Sequence, residues 1–188
     1  MVCHPLTRFV SFTGSREVGL GIFEKTAKVQ PGQIWLKRTV LEMGGKDCIV
    51  VDETADVAAA AEGVVAAAFG FQGQKCSACS RLIAHQDVYS DLLDRVVARS
   101  RELTIGDTVG PDNFYMGAVI DESAQKKINE YIKIGRGEGR VALADGKTPP
   151  TGYFIPPTII ADIAPNARIA QEEIFGPVLA VIKAKNFD

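Results

Sequence analysis

The stretch Leu41-Glu42-Met43-Gly44-Gly45-Lys46, followed closely by Cys48-Ile49-Val50-Val51, decides how this chain is organised. An extended apolar alternation from Trp35 to Met43 runs into a glycine pair, and a second apolar run begins beyond it. Glycines interrupt strands, so a domain boundary is expected near Gly44 to Lys46. Glu42 closes the first run. A carboxylate at a strand end beside glycines suits a general base if it is buried, and otherwise is an ordinary solvated acid.

Upstream, Arg8 to Thr13 reads as a strand and Gly14 to Gly19 as a turn. Val18, Ile22, Phe23 and Ala27 then recur at helical spacing until Pro31-Gly32 ends the helix. The segment Phe12-Thr13-Gly14-Ser15-Arg16-Glu17-Val18-Gly19 sets glycines and a hydroxyl at a helix start, where unpaired N–H groups and the helix dipole favour a phosphate. It lacks the Gly-x-Gly-x-x-Gly fingerprint, and in isolation a plain connection is the commoner meaning.

Downstream, Asp52 or Thr54 is placed to cap an alanine-rich helix reaching about Ala68, and Phe69 to Ser77 form a glycine-punctuated loop. A strand is expected near Leu82 to Ala84. An amphipathic helix follows on Val88, Leu92, Val96 and Val97, then another from about Ser123 to Ile134. Further strands are expected at Val141 to Ala144, within Tyr153 to Ile160, and at Val178 to Ile182. Alternating helices and strands imply an α/β sheet domain.

Composition narrows the function classes. In 188 residues, 46% are hydrophobic, and 21 basic and 23 acidic residues leave a net charge of -2 without long runs. That distribution offers no footprint for nucleic acid or an anionic membrane surface. The longest apolar stretch, Val57 to Phe71, is interrupted by Glu62 and is too short to span a bilayer. His4, Pro5, Thr7 and Arg8 break any secretory apolar region, and four cysteines in a chain of this length do not make a disulfide scaffold. A reducing, cytoplasmic setting is expected.

The loop Gly73-Gln74-Lys75-Cys76-Ser77-Ala78-Cys79-Ser80-Arg81 holds the strongest nucleophile candidate. Cations flank Cys76, the setting in which a thiol becomes reactive, although most buried cysteines are inert. Cys76 and Cys79 also form a Cys-x-x-Cys pair. A zinc site would need further ligands, and Cys3, His4, Cys48 and His85 fall in no ligand spacing, so no metal is expected. Glu172-Glu173-Ile174-Phe175-Gly176-Pro177 is an acidic-aromatic turn suited to a sugar hydroxyl and a flat ring, or equally a loop packed on the core.

Phe-Thr-Gly-Ser at 12–15, Leu-Glu-Met-Gly-Gly-Lys at 41–46, Gly-Gln-Lys-Cys at 73–76 and Glu-Glu-Ile-Phe-Gly-Pro at 172–177 together resemble the aldehyde dehydrogenase superfamily in content, order and spacing. Cys76 follows Glu42 by 34 positions, the family's usual interval. Within the superfamily, Pro31 to Arg38 and Lys75 to Arg81 look like the 1-pyrroline-5-carboxylate dehydrogenase branch, which oxidises glutamate γ-semialdehyde to glutamate in proline catabolism.

The resemblance implies an α/β fold. Residues 1–44 would be the tail end of a Rossmann-like NAD(P)-binding domain, and 45–188 a three-layer αβα catalytic domain incomplete at its C-terminus. It implies that Cys76 attacks the aldehyde and that Glu42 activates water against the resulting thioester. Gly14, Ser15, Met43, Gly44, Glu173 and Phe175 would contact NAD, with NADP the alternative. Lys75 and Ser77 would bind the carboxylate of a small-molecule aldehyde substrate. It also implies homo-oligomers of the full-length enzyme. The family's oxyanion-hole asparagine and adenosine-ribose lysine have no counterpart here. The competing readings are an inactive fragment that only oligomerises or binds a partner, and a cofactor-independent thiol esterase.

Overall fold

The computed structural model describes residues 1–186. They form two compact units that divide between Gly45 and Lys46.

In the first unit, β1 (Phe9–Thr13) and β2 (Arg38–Glu42) pair in parallel, with Phe9 opposite Arg38 and Thr13 opposite Glu42. The connection carries α1 (Arg16–Ala27), as parallel strands require a crossover. Ser15 caps α1, and Thr26 turns its hydroxyl back to the Ile22 and Phe23 carbonyls, which satisfies it inside the helix. Trp35 was expected within the second strand. It lies before β2 instead, with the Arg8 guanidinium 4.2 Å from its ring centroid.

The second unit is built on a five-stranded sheet. Its elements in chain order are β3 (Cys48–Val51), α2 (Val57–Phe69), β4 (Arg81–His85), α3 (Tyr89–Arg101), α4 (Glu122–Glu138), β5 (Arg140–Leu143), β6 (Thr158–Ala161), α5 (Arg168–Gln171) and β7 (Val178–Ala184). The strand order is β3-β4-β7-β6-β5, parallel except for β5 against β6.

Side-chain alternation divides the core between the sheet's two faces. Leu82, Ala84, Leu179, Val181, Ile159 and Ala161 meet α2 and α3 in one cluster. Ile83, Val178, Ala180, Ile182 and Ile160 meet α4 and α5 in the other. Three layers result, helices over sheet over helices. This explains why β6 and most of β7 are buried without alternation: both faces are covered.

Two further expectations change at this level, and one element was not expected. The cap of α2 is Asp56, which accepts from the Ala58 and Ala59 N–H groups, while Asp52 is occupied by the Thr54 N–H and hydroxyl. The stretch from Tyr153 yields only β6, because Pro156 and Pro157 cannot donate to a ladder. The single-turn α5 carries too little periodicity to be seen in sequence. Among the described residues, no helix is long and apolar enough to cross a membrane.

Candidate active site

In the first unit, β1 delivers the chain to Gly14, whose N–H donates to the Glu42 carbonyl at 3.0 Å. The glycine-serine turn is thereby tied to the end of β2. The Ser15 hydroxyl accepts from the Val18 N–H at 3.4 Å, and the start of the 12-residue α1 stays exposed around it. Met43 lies close against α1 at Gly19: a Cβ there would sit 2.5 Å from the Met43 sulfur. The Glu42 side chain is exposed. It shares the open face of β2 with Arg38 and Val40, so the burial entertained for it from sequence is not found.

In the second unit, the chain leaves α2 through a tight turn, Gly70–Gly73, that puts Phe71, Gln72 and Gly73 successively at φ of 54°, 56° and 67°. Left-handed backbone costs a non-glycine residue about 1–2 kcal/mol, so tertiary contacts must impose this run. The Gln72 side-chain amide donates to the Ala118 carbonyl at 3.0 Å, and the Ile120 N–H donates to Gln74 Oε1 at 3.0 Å. Behind the loop, the Cys79 N–H donates to the Ala67 carbonyl at 3.1 Å.

These braces present a four-residue turn, Lys75 to Ala78, closed by the Ala78 N–H on the Lys75 carbonyl at 3.1 Å. Cys76 and Ser77 occupy its centre, and Lys75, Cys76 and Ser77 are all exposed. The Cys76 N–H has no acceptor among the described residues and remains free to donate. Cys79 is its opposite. Buried at 4% exposure, it donates to the Arg81 carbonyl at 3.3 Å, and burial pushes its thiol up to about 11. The two cysteines of the Cys-x-x-Cys pair thus have different chemistry, one accessible and one held as a buried thiol. No group of residues suited to holding a metal occurs among the described residues.

The acidic-aromatic turn meets this loop at backbone level. A Cβ on Gly73 would lie 2.5 Å from the Gly176 carbonyl oxygen, and one on Gly176 would lie 2.5 Å from the Ile128 side chain. Glycine at 73 lets the two segments touch, and glycine at 176 lets the turn close on Ile128 of α4. Between them the turn buries Ile174, leaves Glu173 half-buried, and exposes Phe175 in a left-handed conformation at φ 58°.

Lys46 opens the second unit, and its Nζ is buried without a hydrogen-bond partner among the described residues. Burial pushes the amine down to about 8, helped by Arg81 and opposed by Glu173 and Glu172. Arg81 donates to the Lys46 carbonyl. Of the sequence candidates, the structure brings Lys75, Cys76 and Ser77 together on one turn, sets the Glu173–Phe175 turn beside that loop, and places Gly14 and Ser15 beside Glu42 in the first unit. Tyr115 was not foreseen. Its hydroxyl and the Lys75 Nζ both lie 3.6 Å from the Cβ position of Gly70, a convergence across 40 residues that no local pattern announces.

The aldehyde dehydrogenase family model matches residues 1–188. The chain belongs to the aldehyde dehydrogenase family. Its α/β architecture is an aldehyde dehydrogenase architecture at the level of coordinates as well. A crystal structure of 1-pyrroline-5-carboxylate dehydrogenase from Thermus with bound NAD superposes with a TM-score of 0.94 at 52% identity, over 99% of this chain and 36% of that one. Proline utilization A from Bdellovibrio bacteriovorus matches with a TM-score of 0.95 at 44% identity, over 98% of this chain and 19% of that one. Among curated sequences, 1-pyrroline-5-carboxylate dehydrogenase of Geobacillus sp. strain WCH70 is 59% identical over all 188 residues. The chain spans 36% of the length of that relative.

Proposed function

We propose that this chain carries the nucleophile, the water-activating carboxylate and part of the cofactor site of an enzyme that oxidises glutamate γ-semialdehyde to glutamate in proline catabolism. The observation that carries the reading is 59% identity across the whole chain to a relative named 1-pyrroline-5-carboxylate dehydrogenase. Exposure of Cys76 at the centre of a braced turn supports the assignment of the nucleophile.

The chemistry divides one oxidation into two easier steps. The Cys76 thiolate adds to the aldehyde carbon, forming a C–S bond and an oxyanion. The free Cys76 N–H is available to donate to that oxygen, a contribution worth about 10²–10³ in rate for a single donor. Collapse of the thiohemiacetal expels hydride from carbon and leaves a thioester on Cys76. Glu42 takes a proton from water, the water oxygen attacks the thioester, and the carboxylate product leaves as the thiol re-forms. Lys75 and Ser77 supply a cation and a hydroxyl for the substrate's α-carboxylate.

NAD, when bound, supplies the hydride acceptor. The first unit suits the pyrophosphate, for Gly14 and Ser15 lie at the exposed N-terminus of a full-length helix. The second unit suits the nicotinamide riboside, with a half-buried carboxylate at Glu173 for ribose hydroxyls and an exposed ring at Phe175. Met43 and Gly44 would add backbone contacts. NAD is chosen over NADP because the Thermus relative was solved with NAD bound.

The test uses the protein with all the sequence its gene encodes and follows NADH formation from glutamate γ-semialdehyde. Cys76→Ala should lower turnover by at least about 10³-fold. Glu42→Gln should instead leave a rapid burst of NADH followed by slow hydrolysis of the acyl-enzyme. Persistent turnover in Cys76→Ala would sink the assignment.

A further inference from the structure

Glu172 is the acid of the acidic-aromatic turn that the reading above leaves without a task, yet its carboxylate accepts three side-chain hydrogen bonds. Arg168 grips both oxygens, from Nε to Oε1 and from Nη2 to Oε2, each at 2.9 Å. The Tyr131 hydroxyl donates to Oε2 at 2.6 Å from α4. Arg168 and Tyr131 together hold the carboxyl at about 2, well below its ordinary range. Arg168 is itself fixed at the backbone, because Glu138 of α4 accepts from the Arg168 N–H at 2.9 Å and the Ile169 N–H at 3.1 Å.

The next residues need such an anchor. Ile174 and Phe175 have N–H groups with no acceptor among the described residues, and Phe175 sits in a left-handed conformation. The main-chain ladder resumes at the Pro177 carbonyl, which accepts from the Thr158 N–H at 2.9 Å, and continues into β7. Besides the interactions Glu173 makes itself, among them the charge of Lys46, a segment with so few main-chain bonds takes its direction from its ends. The far end is set by Gly176 against Gly73 and Ile128. The near end is set by the carboxylate one residue before Glu173. A half-exposed ion pair of this kind stabilises a fold little, and its consequence is geometric.

We propose that Glu172, clamped by Arg168 and Tyr131, is a positioning residue that aims Glu173 and Phe175 at the nicotinamide riboside. This rests on the cofactor role given above to Glu173. Loosening the clamp should weaken NAD binding while leaving Cys76 chemistry in place, because neither Arg168 nor Tyr131 belongs to the cysteine loop.

The experiment measures the NAD dissociation constant, NAD-independent ester hydrolysis and the melting temperature for Tyr131→Phe, Arg168→Met, Arg168→Lys and Glu173→Gln in the protein with all its encoded sequence. Tyr131→Phe and Arg168→Met should each weaken NAD binding about three- to tenfold, the size of one ordinary net hydrogen bond, because the clamp acts on the cofactor only through Glu173 and Phe175. Ester hydrolysis and melting should stay at the wild-type values, and Arg168→Lys should restore part of the affinity. If Glu173→Gln weakens NAD while Tyr131→Phe and Arg168→Met do not, the clamp is overturned and the cofactor reading stands. If Glu173→Gln leaves NAD binding unchanged, the cofactor reading of the turn falls and the clamp proposal with it. Equal loss of ester hydrolysis and NAD affinity would make the clamp a structural prop, which also overturns it.

Discussion

The two units of this chain solve the same problem unequally. In the first, both strands show strict alternation of exposed and half-buried residues, and only Gly19 and Thr26 of α1 are buried. Phe23, Ile34, Trp35 and Leu36 remain exposed. In the second, β6 is buried at every position, and one sheet serves two separate apolar clusters. A sheet covered on both faces holds its register through packing, whereas a two-stranded sheet has only its ladder and one helix. Stability should therefore reside in the second unit, and the residues proposed for catalysis divide accordingly: a well-braced nucleophile loop and an exposed carboxylate.

The sharpest way to break this comparison is a pair of truncations. Ile160→Ala, at a fully buried site in β6, should cost about 2–5 kcal/mol in urea unfolding, whereas Val40→Ala on the open face of β2 should cost about 0.5 kcal/mol or less. Equal costs would mean that the two units fold on equal terms.

Glycines give a smaller contrast. At Gly73 an added Cβ meets the Gly176 backbone at 2.5 Å and the residue sits at φ 67°, so Gly73→Ala should cost about 1–3 kcal/mol. At Gly14 the Cβ meets only the movable ring of Phe12, and Gly14→Ala should cost less by the same urea measurement. The reverse order would refute the idea that backbone contact between the two loops fixes the nucleophile turn.

The smallest expected effect depends on pH. Lys46 in the folded chain titrates near 8 against an ordinary 10.5, so the native state binds fewer protons than the unfolded chain between those values. Its charged form opposes folding. The penalty is complete below pH 8 and fades as pH rises toward 10.5. Allowing for its partial exposure, Lys46→Met should stabilise the second unit by about 1–2 kcal/mol at neutral pH, with the gain vanishing at high pH. A gain independent of pH would show that packing, not desolvation of the amine, is responsible.

Much of this was legible beforehand. Periodicity located α1, α3, α4 and the strands around Ile49, Ile83, Ala142 and Ala180, because each buries a stripe or a face whose spacing is written in the chain. Four short motifs in the right order marked the family. The aspartate that caps α2 was misjudged, since three acceptors compete within five residues and only the folded backbone selects among them. Of the two readings left open for the Glu42 side chain, the exposed one holds. Burial depends on what lies over a strand face, and the strand's own pattern does not say.

The amino-acid sequence by itself determined the class of fold and the family, because these follow from local periodicity, backbone propensity and motif order. The tertiary structure alone decided which cysteine is exposed and which is a buried thiol, that Gly73 and Gly176 bring two distant loops into backbone contact, and that Arg168 and Tyr131 converge on Glu172. Apart from the Arg168–Glu172 pair, four positions apart, those facts depend on approach between residues tens to about a hundred positions apart, and the hydrogen bonds and desolvation that define them exist only once the sheet has closed around its two cores.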